Sequence, residues 1–309
     1  MRSARSPLSA IGNTPAVRLA RLAPQSGAEV WLKWEGANPT GSMKDRMALS
    51  MVEGAEQRGE LRPGDRVVEY TGGSTGSSLA MVCAAKGYSA RFVSSDAFAE
   101  AKLRTMRAFG AEVEVIPSQE RKVTPELVQA IVARARELAS EPETFWADQY
   151  NNPDNRAAYH RMAEEMLQQL DGRIDAFVQG VGTGGSFSGN AERLKEAIPG
   201  IRCVAVEPDA SRNLSGGQLG GHRIEGIGSG FIPAIMRMDL VDEIVSVSDR
   251  DADEMARRLA TEEGILAGSS SGANLVAALR IAGSLGSGHR VMTIAVDTGL
   301  KYLDGDLFL

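Results

Sequence analysis

Aromatic residues are scarce in this chain of 309 residues: Phe, Tyr and Trp together make up 5% of it. Basic blocks are missing too, and the formal net charge is −6. A basic stripe with interleaved aromatics is the footprint of nucleic-acid binding, so nucleic acid is not an expected partner. No run is long and apolar enough to span a bilayer, and Met1-Arg2-Ser3-Ala4-Arg5-Ser6-Pro7 lacks the hydrophobic stretch of a secretion signal. Neither membrane attachment nor export is expected. Only two cysteines are present, Cys83 and Cys203, both within apolar segments. They are expected to be reduced, buried thiols of a cytoplasmic protein. Neither sits beside a turn or an obvious base, which counts against a catalytic thiol. His160, His222 and His289 share no metal-ligand spacing, so no metal site is expected.

Glycine, by contrast, is abundant, with 34 residues. Many glycines fall where a strand pattern passes into a helix pattern, which means tight turns and close backbone approach to a ligand. Hydrophobic content of 43% and charged content of 24% are ordinary for a globular chain. The length suits one large or two moderate domains. Strands are predicted at Glu29–Trp34, Arg66–Tyr70, Ala90–Ser94, Glu112–Ile116, Ile174–Gln179, Arg202–Glu207, Glu243–Val247 and Arg290–Val296. Helices are predicted at Thr75–Lys86, Ala99–Phe109, Thr124–Ala139, Asp154–Leu170, Gly185–Ala197 and Asp249–Glu263. This alternation implies an α/β fold with parallel sheets covered by helices. The Gly-rich segment Asp209–Ile232 lacks periodicity and is predicted to be a loop near the active cleft. Asn151-Asn152-Pro153-Asp154-Asn155 is a turn cluster where a domain change is expected, with two sheet units facing a cleft lined by loops at strand C-termini.

Four Gly/Ser/Thr loops carry the chemistry. The first is Asn38-Pro39-Thr40-Gly41-Ser42-Met43-Lys44-Asp45-Arg46, which sets Lys44 at a turn-to-helix junction. Unpaired N–H groups and the helix dipole there favour a neutral amine, able to condense with an aldehyde. The plain alternative is a surface lysine in a first helical turn. The second loop, Tyr70-Thr71-Gly72-Gly73-Ser74-Thr75-Gly76, offers N–H groups and hydroxyls to an anion such as a carboxylate; a Ser- or Thr-capped turn is the alternative. The third, Gly180-Val181-Gly182-Thr183-Gly184-Gly185-Ser186, follows an apolar strand and opens a helix, the form of a phosphate cup. Gly180, Gly182 and Gly185 also satisfy G-x-G-x-x-G, with Glu207 at the end of the next strand, so a dinucleotide site is a rival reading. The fourth, Ala267-Gly268-Ser269-Ser270-Ser271-Gly272-Ala273-Asn274, is either a helix cap with spare serines or the source of a neutral hydrogen bond to a ring nitrogen.

Taken with Glu225-Gly226-Ile227-Gly228-Ser229-Gly230-Phe231-Ile232-Pro233 and Glu262-Glu263-Gly264-Ile265-Leu266-Ala267-Gly268, these motifs resemble the cysteine synthase (O-acetylserine sulfhydrylase) and cystathionine β-synthase family. Its members are fold type II pyridoxal-phosphate enzymes. The likeness runs from Ile11-Gly12-Asn13-Thr14-Pro15 to Asp297-Thr298-Gly299. It implies two doubly wound domains with mostly parallel sheets, like the tryptophan synthase β chain. The smaller domain, residues 38–152, would carry Lys44 and the carboxylate loop. Residues 10–37 plus 153–309 would carry the phosphate loop and the pyridine-nitrogen serine.

The resemblance further implies that Lys44 bonds the cofactor pyridoxal 5'-phosphate and later moves the substrate α-proton. Gly182, Thr183, Gly184, Gly185 and Ser186 would hold the phosphate. Ser270, with Ser271 the alternative, would meet the pyridine nitrogen. Thr71, Gly72, Ser74 and Thr75, helped by Gln149, would bind the substrate carboxylate. Ser74 also takes the position that touches the cofactor's ring hydroxyl, and Gly228 lies in a loop lining the cleft. The implied reaction is β-replacement on a β-substituted L-alanine by way of an aminoacrylate. O-acetylserine, O-phosphoserine or serine is the donor type, and sulfide or another nucleophile the acceptor. A homodimer in the cytoplasm is implied as well. The chain shows neither a Cys/His haem extension nor a regulatory module, which counts against the haem-containing cystathionine synthases.

The family's carboxylate loop usually reads Thr-Ser-Gly-Asn-Thr-Gly. Here Gly72 replaces a serine, which removes a donor and is expected to open space. Ser74 replaces an asparagine and shortens the reach to the cofactor. Tyr150 is expected to shape the side-chain pocket. Asp96, Asp148 and Glu207 are read as caps or solvated charges. Three alternatives stand beside a sulfide-using synthase: elimination or replacement with another nucleophile, an NAD-dependent oxidoreductase, and a binding partner with little turnover.

Overall fold

The computed structural model describes residues 6–120 and 124–309. In chain order come β1 (Ala16–Arg18), β2 (Glu29–Trp34), α1 (Lys44–Arg58), β3 (Arg66–Tyr70) and α2 (Ser74–Lys86). They are followed by β4 (Ser89–Ser95), α3 (Glu100–Ala108), β5 (Glu112–Ile116), α4 (Pro125–Ala139) and β6 (Thr144–Trp146). Next are α5 (Pro153–Ala157), α6 (His160–Gln169), β7 (Ala176–Gly180), α7 (Gly185–Ala197) and β8 (Arg202–Pro208). The last are β9 (Glu243–Val247), α8 (Asp249–Glu263), α9 (Ser269–Leu285) and β10 (Arg290–Ala295). The chain divides into two compact units, Met1–Ile11 with Asn38–Asn155, and Gly12–Ala37 with Arg156–Leu309.

The first unit is built on a four-stranded sheet of order β5-β4-β3-β6, parallel throughout. Val68 and Val93 on its strands pack with Leu127, Ile131, Ala135 and Leu138 of α4. Strands covered by helices read as near-continuous apolar runs, and Val67 and Val68 of β3 are fully buried. The second unit has a six-stranded sheet, β1-β2-β10-β7-β8-β9, in which only β1 runs antiparallel. Its core joins Val30, Leu32, Val178, Val204, Val206 and Val291 to Leu275 and Ile281 of α9 and Leu259 of α8. The chain is therefore α/β with mostly parallel sheets, as its strand and helix periodicity implies.

Two expectations are corrected. The helix expected over 154–170 is two helices, α5 and α6, because helical hydrogen bonding is interrupted ahead of His160. β1 and β6 add to the expected strands; at three residues each, they carry too little alternation to be seen in a sequence. The helix that opens at Lys44 starts three residues after Gly41, which turns the chain in the left-handed region (φ 72°). Between Pro208 and Met238 there is no strand or helix, so Asp209–Ile232 is a loop as expected. Among the described residues, no helix is long and apolar enough to cross a membrane.

Candidate active site

Open α/β sheets present ligand sites at the carboxyl ends of their strands. In the first unit, β3 runs into Thr71-Gly72-Gly73 and then α2. The N-cap of α2 is Gly73, which has no side chain with which to cap the helix. The capping comes from Thr71, two residues ahead, on the Gly76 N–H, so the Thr-capped turn is present, at a helix start of the kind that binds anions. Thr71 organises the loop: its Oγ1 accepts from the N–H groups of Gly73 (3.0 Å) and Gly76 (3.2 Å). Those bonds use its lone pairs and direct its proton outward. Thr75 Oγ1 donates to Gln149 Oε1 (2.8 Å), and Gln149 Nε2 donates to the Tyr70 carbonyl (3.0 Å). The structure thus joins Thr75 and Gln149, 74 residues apart. Tyr150 stacks its ring on Tyr70, 5.8 Å between centroids.

Lys44 is the first residue of α1, half-buried, and its N–H donates to Ser42 Oγ at 3.2 Å. The loop ahead of it is held by a residue that sequence reading passes over. Asp45, fully buried, accepts from the Thr40 N–H (2.8 Å), from Thr40 Oγ1 (2.5 Å) and from Ser78 Oγ of α2 (2.6 Å). One carboxylate so ties the lysine loop to the helix that follows the carboxylate loop. The only signal in the sequence is an acidic residue in a first helical turn; its partner Ser78 lies 33 residues away.

A second residue without a sequence signal is Glu69, buried at the end of β3. Its carboxyl accepts from the N–H groups of Tyr70 (2.9 Å) and Gln149 (3.0 Å). Burial pushes this carboxyl up to about 8, with Asp148 adding to the rise against those two donors. A raised carboxyl means the folded chain keeps a proton that the unfolded chain releases near 4.5. Stability is then fully present below that lower value and is lost as pH rises toward 8. In Glu69→Gln the amide nitrogen cannot accept one of these N–H groups, but the variant has no proton to lose, so its stability relative to wild type is expected to rise between pH 5 and 8 by on the order of a few kcal/mol. Thermal melts across that range check it; parallel curves for the two proteins refute it.

In the second unit, β7 ends at Gly180 and α7 begins at Gly185. The N-cap is Gly184 in the left-handed conformation (φ 82°), without a side-chain cap. A side chain at Gly182 would collide with the Gly226 carbonyl oxygen, so glycine is required by close backbone packing. The neighbouring segment is laced to this loop: Gly228 N–H donates to the Val181 carbonyl (3.0 Å), and Ser229 Oγ to the Gly182 carbonyl (2.9 Å). Ser186, 6% exposed, accepts from Gln179 Nε2 at 2.7 Å, which leaves its own proton to donate elsewhere. A helix start without a cap, flanked by glycines and the Thr183 and Ser186 hydroxyls, is a donor set that fits a phosphate ester.

The fourth loop opens α9 behind Gly268, also without a side-chain cap. Two of its three serines have structural partners: Ser269 Oγ accepts from Glu225 N–H (3.3 Å) and Ser271 Oγ from Val296 N–H (2.9 Å). Ser270 is 2% exposed. Asn274 Oδ1 accepts from Gly180 N–H (2.6 Å) and its Nδ2 donates to the Ile294 carbonyl (2.9 Å), locking α9 to β7 and β10.

Glu207 is neither a solvated charge nor available to a ribose. It is buried and accepts from Leu214 N–H (2.8 Å) and Ser215 Oγ (2.5 Å), anchoring the long loop. That removes the acidic partner on which the dinucleotide reading depends. Asp96 accepts from Ser118 N–H (2.7 Å), joining two loops, and Asp148 accepts from the Asn151 side chain (2.8 Å). Cys83 and Cys203 are buried, and burial pushes each thiol up to about 12, far from a nucleophile. Among the described residues, no three His, Cys, Asp or Glu side chains gather as metal ligands.

Comparison with known proteins gives the family and the fold likeness. The family described as pyridoxal-phosphate dependent enzyme matches residues 8–297. The chain is 43% identical over 300 residues to a cysteine synthase of Staphylococcus aureus, covering 96% of this chain and 95% of that one. Among solved structures, O-ureido-L-serine synthase matches with TM-score 0.94 and 38% identity, over 99% of this chain and 96% of that one. The O-acetylserine dependent cystathionine β-synthase of Helicobacter pylori matches with TM-score 0.93 and 37% identity over the whole of both chains.

Proposed function

The chain belongs to the pyridoxal-phosphate dependent enzyme family, and from that premise we propose that it performs β-replacement on a β-substituted L-alanine, with O-acetyl-L-serine as donor and sulfide as nucleophile. When bound, pyridoxal phosphate supplies the electron sink for bonds at the substrate's α-carbon. Gly182, Thr183, Gly184, Gly185 and Ser186 hold its phosphate on the start of α7. Lys44 carries it through Nζ and moves the α-proton of the substrate. Thr71, Gly72, Ser74 and Thr75 orient the substrate carboxylate with Gln149, and Gly228 lies in the segment laced to the phosphate loop.

The observation that carries the reaction type is the set of three serines at the head of α9. Ser269 and Ser271 accept the backbone N–H groups of Glu225 and Val296; Ser270 is assigned to the pyridine nitrogen, with Ser271, which keeps its own proton to donate, as the alternative. A neutral hydroxyl does not hold a proton on that nitrogen as a carboxylate would. Charge at the α-carbon is then released promptly into a β-leaving group, and transamination and racemisation are disfavoured.

Support for the substrate pair comes from the staphylococcal cysteine synthase. The neighbours named as O-ureido-L-serine synthase and cystathionine β-synthase show that closely similar frames serve other nucleophiles. We take the working form to be a cytoplasmic homodimer. The deciding experiment is a donor and nucleophile screen of the purified holoenzyme, read by cofactor spectrum and product mass. O-acetyl-L-serine with sulfide is expected to yield cysteine fastest. A faster product from a hydroxyurea-type or thiol nucleophile replaces the sulfide assignment, and no spectral response to any β-substituted alanine overturns the reaction type.

A further inference from the structure

The absence of a side chain at Gly72 does not open space as expected, because the space is filled. A β-carbon built on Gly72 would lie 2.8 Å from Cε1 and 3.0 Å from Cδ1 of Phe98. One built on Gly73 would collide with Cδ of Lys102. One built on Gly76 would lie 2.7 Å from both Sδ and Cε of Met106. Lys102 and Met106, four residues apart, share one face of α3, and Phe98 lies in the turn two residues ahead of the helix. Three glycine notches in the loop and the first turn of α2 thus receive these three side chains. Lys102 and Met106 are buried, 4% and 0% exposed, and Phe98 packs against the core that includes Val68 and Val93. The Phe98 end is also held by its own turn, with Phe98 N–H on the Ser95 carbonyl (3.2 Å).

Resting on the reading that Thr71–Thr75 receives the substrate carboxylate, we propose that Phe98, Lys102 and Met106 are positioning residues that mould this loop, and that Phe98 is the reason position 72 is glycine. Hydrogen bonds fix part of the loop: Thr71 Oγ1 accepts from Gly73 and Gly76, Ser94 Oγ donates to the Thr71 carbonyl, and Thr75 reaches Gln149. Packing from α3 acts beside them, at the three glycines. At Lys102 the aliphatic stem does this work, since Cδ, Cε and Cγ are the atoms that lie over Gly73. Restoring a serine at 72 therefore displaces the ring or the loop. Removing the ring makes room for that serine.

The test is a double-mutant cycle of Gly72→Ser and Phe98→Ala in the holoenzyme. Two quantities are read: steady-state KM and kcat for the donor, and the dissociation constant of L-alanine from the cofactor spectrum. Gly72→Ser alone is expected to raise KM and that dissociation constant about tenfold or more, with kcat much less affected. In the Phe98→Ala background the same change is expected to cost less than about threefold, which is coupling between neighbours rather than additivity. Additive effects refute the proposal. Should Gly72→Ser fail to fold, Phe98→Ala alone decides: a weaker L-alanine complex with an unchanged melt supports it, and an unchanged complex refutes it. Lys102→Met, which keeps the stem, is expected to weaken the L-alanine complex less than Lys102→Ala does; equal losses refute the role of the stem. A wild-type spectrum that no amino acid alters overturns the underlying reading instead, which keeps the two failures apart.

Discussion

Lys44→Ala is expected to abolish the covalent attachment of pyridoxal phosphate and to lower turnover by at least about 10²–10⁴-fold, the range for loss of a positioned proton carrier alone. Loss of the covalent link adds to this. The effect is chemical, because the side chain is half-buried at the first position of α1 and alanine is the best helix former. Bonds made by other groups hold the loop around it. Asp45 holds Thr40 and Ser78, and Ser42 Oγ accepts the backbone N–H of residue 44. The variant should therefore melt near the wild-type temperature while losing the absorbance of the bound cofactor. Borohydride reduction followed by peptide mass analysis locates the link directly. An adduct on any other lysine overturns the assignment, and with it the role given to every loop in the first unit.

Gly182→Ala is the second large effect expected, and on the proposed assignment it acts through the phosphate loop. The new β-carbon meets the Gly226 carbonyl, so the backbone of one of the two segments must shift. The same shift breaks the Ser229 Oγ bond to the Gly182 carbonyl and strains the Gly228 bond to Val181. Donors aimed at the phosphate then lose their alignment. Hydrogen bonds to a charged group are each worth about 1.5–3 kcal/mol, and every 1.4 kcal/mol is roughly tenfold in affinity. Cofactor affinity is expected to fall about 10–150-fold for each bond lost. Overpacking also costs the apoprotein about 1–3 kcal/mol. Titration of the apoprotein with pyridoxal phosphate, beside a melt of the apoprotein, separates the two effects. A variant that melts earlier yet binds as tightly as wild type shows that Gly182 serves packing alone.

The four Gly/Ser/Thr loops are legible as helix starts without coordinates because each is a local signal. Glycine clusters at the junction of a strand period and a helix period mean a tight turn into a helix, and Gly73, Gly184 and Gly268 are found at N-caps. Strands such as Glu29–Trp34, Arg66–Tyr70 and Glu243–Val247 fall where their β-branched runs predict. β1 and β6 escape notice because three residues are too few to display a period. The break ahead of His160 escapes because no Gly or Pro marks it.

The family likeness and the reaction class that it implies are legible in the chain alone: the Lys44 run, the glycines of 180–185, and the serines of 269–271 are short-range features that carry the resemblance. What those residues lean on was decided only by the fold. Asp45 finds Ser78, Gln149 finds Thr75 and Glu69, Glu207 is spent on the loop at Leu214 and Ser215, and Phe98 fills the place left at Gly72. Each of these pairs is set by strand order and helix packing. Contact between residues distant in the chain has no local signature, because it depends on which elements the sheet brings side by side.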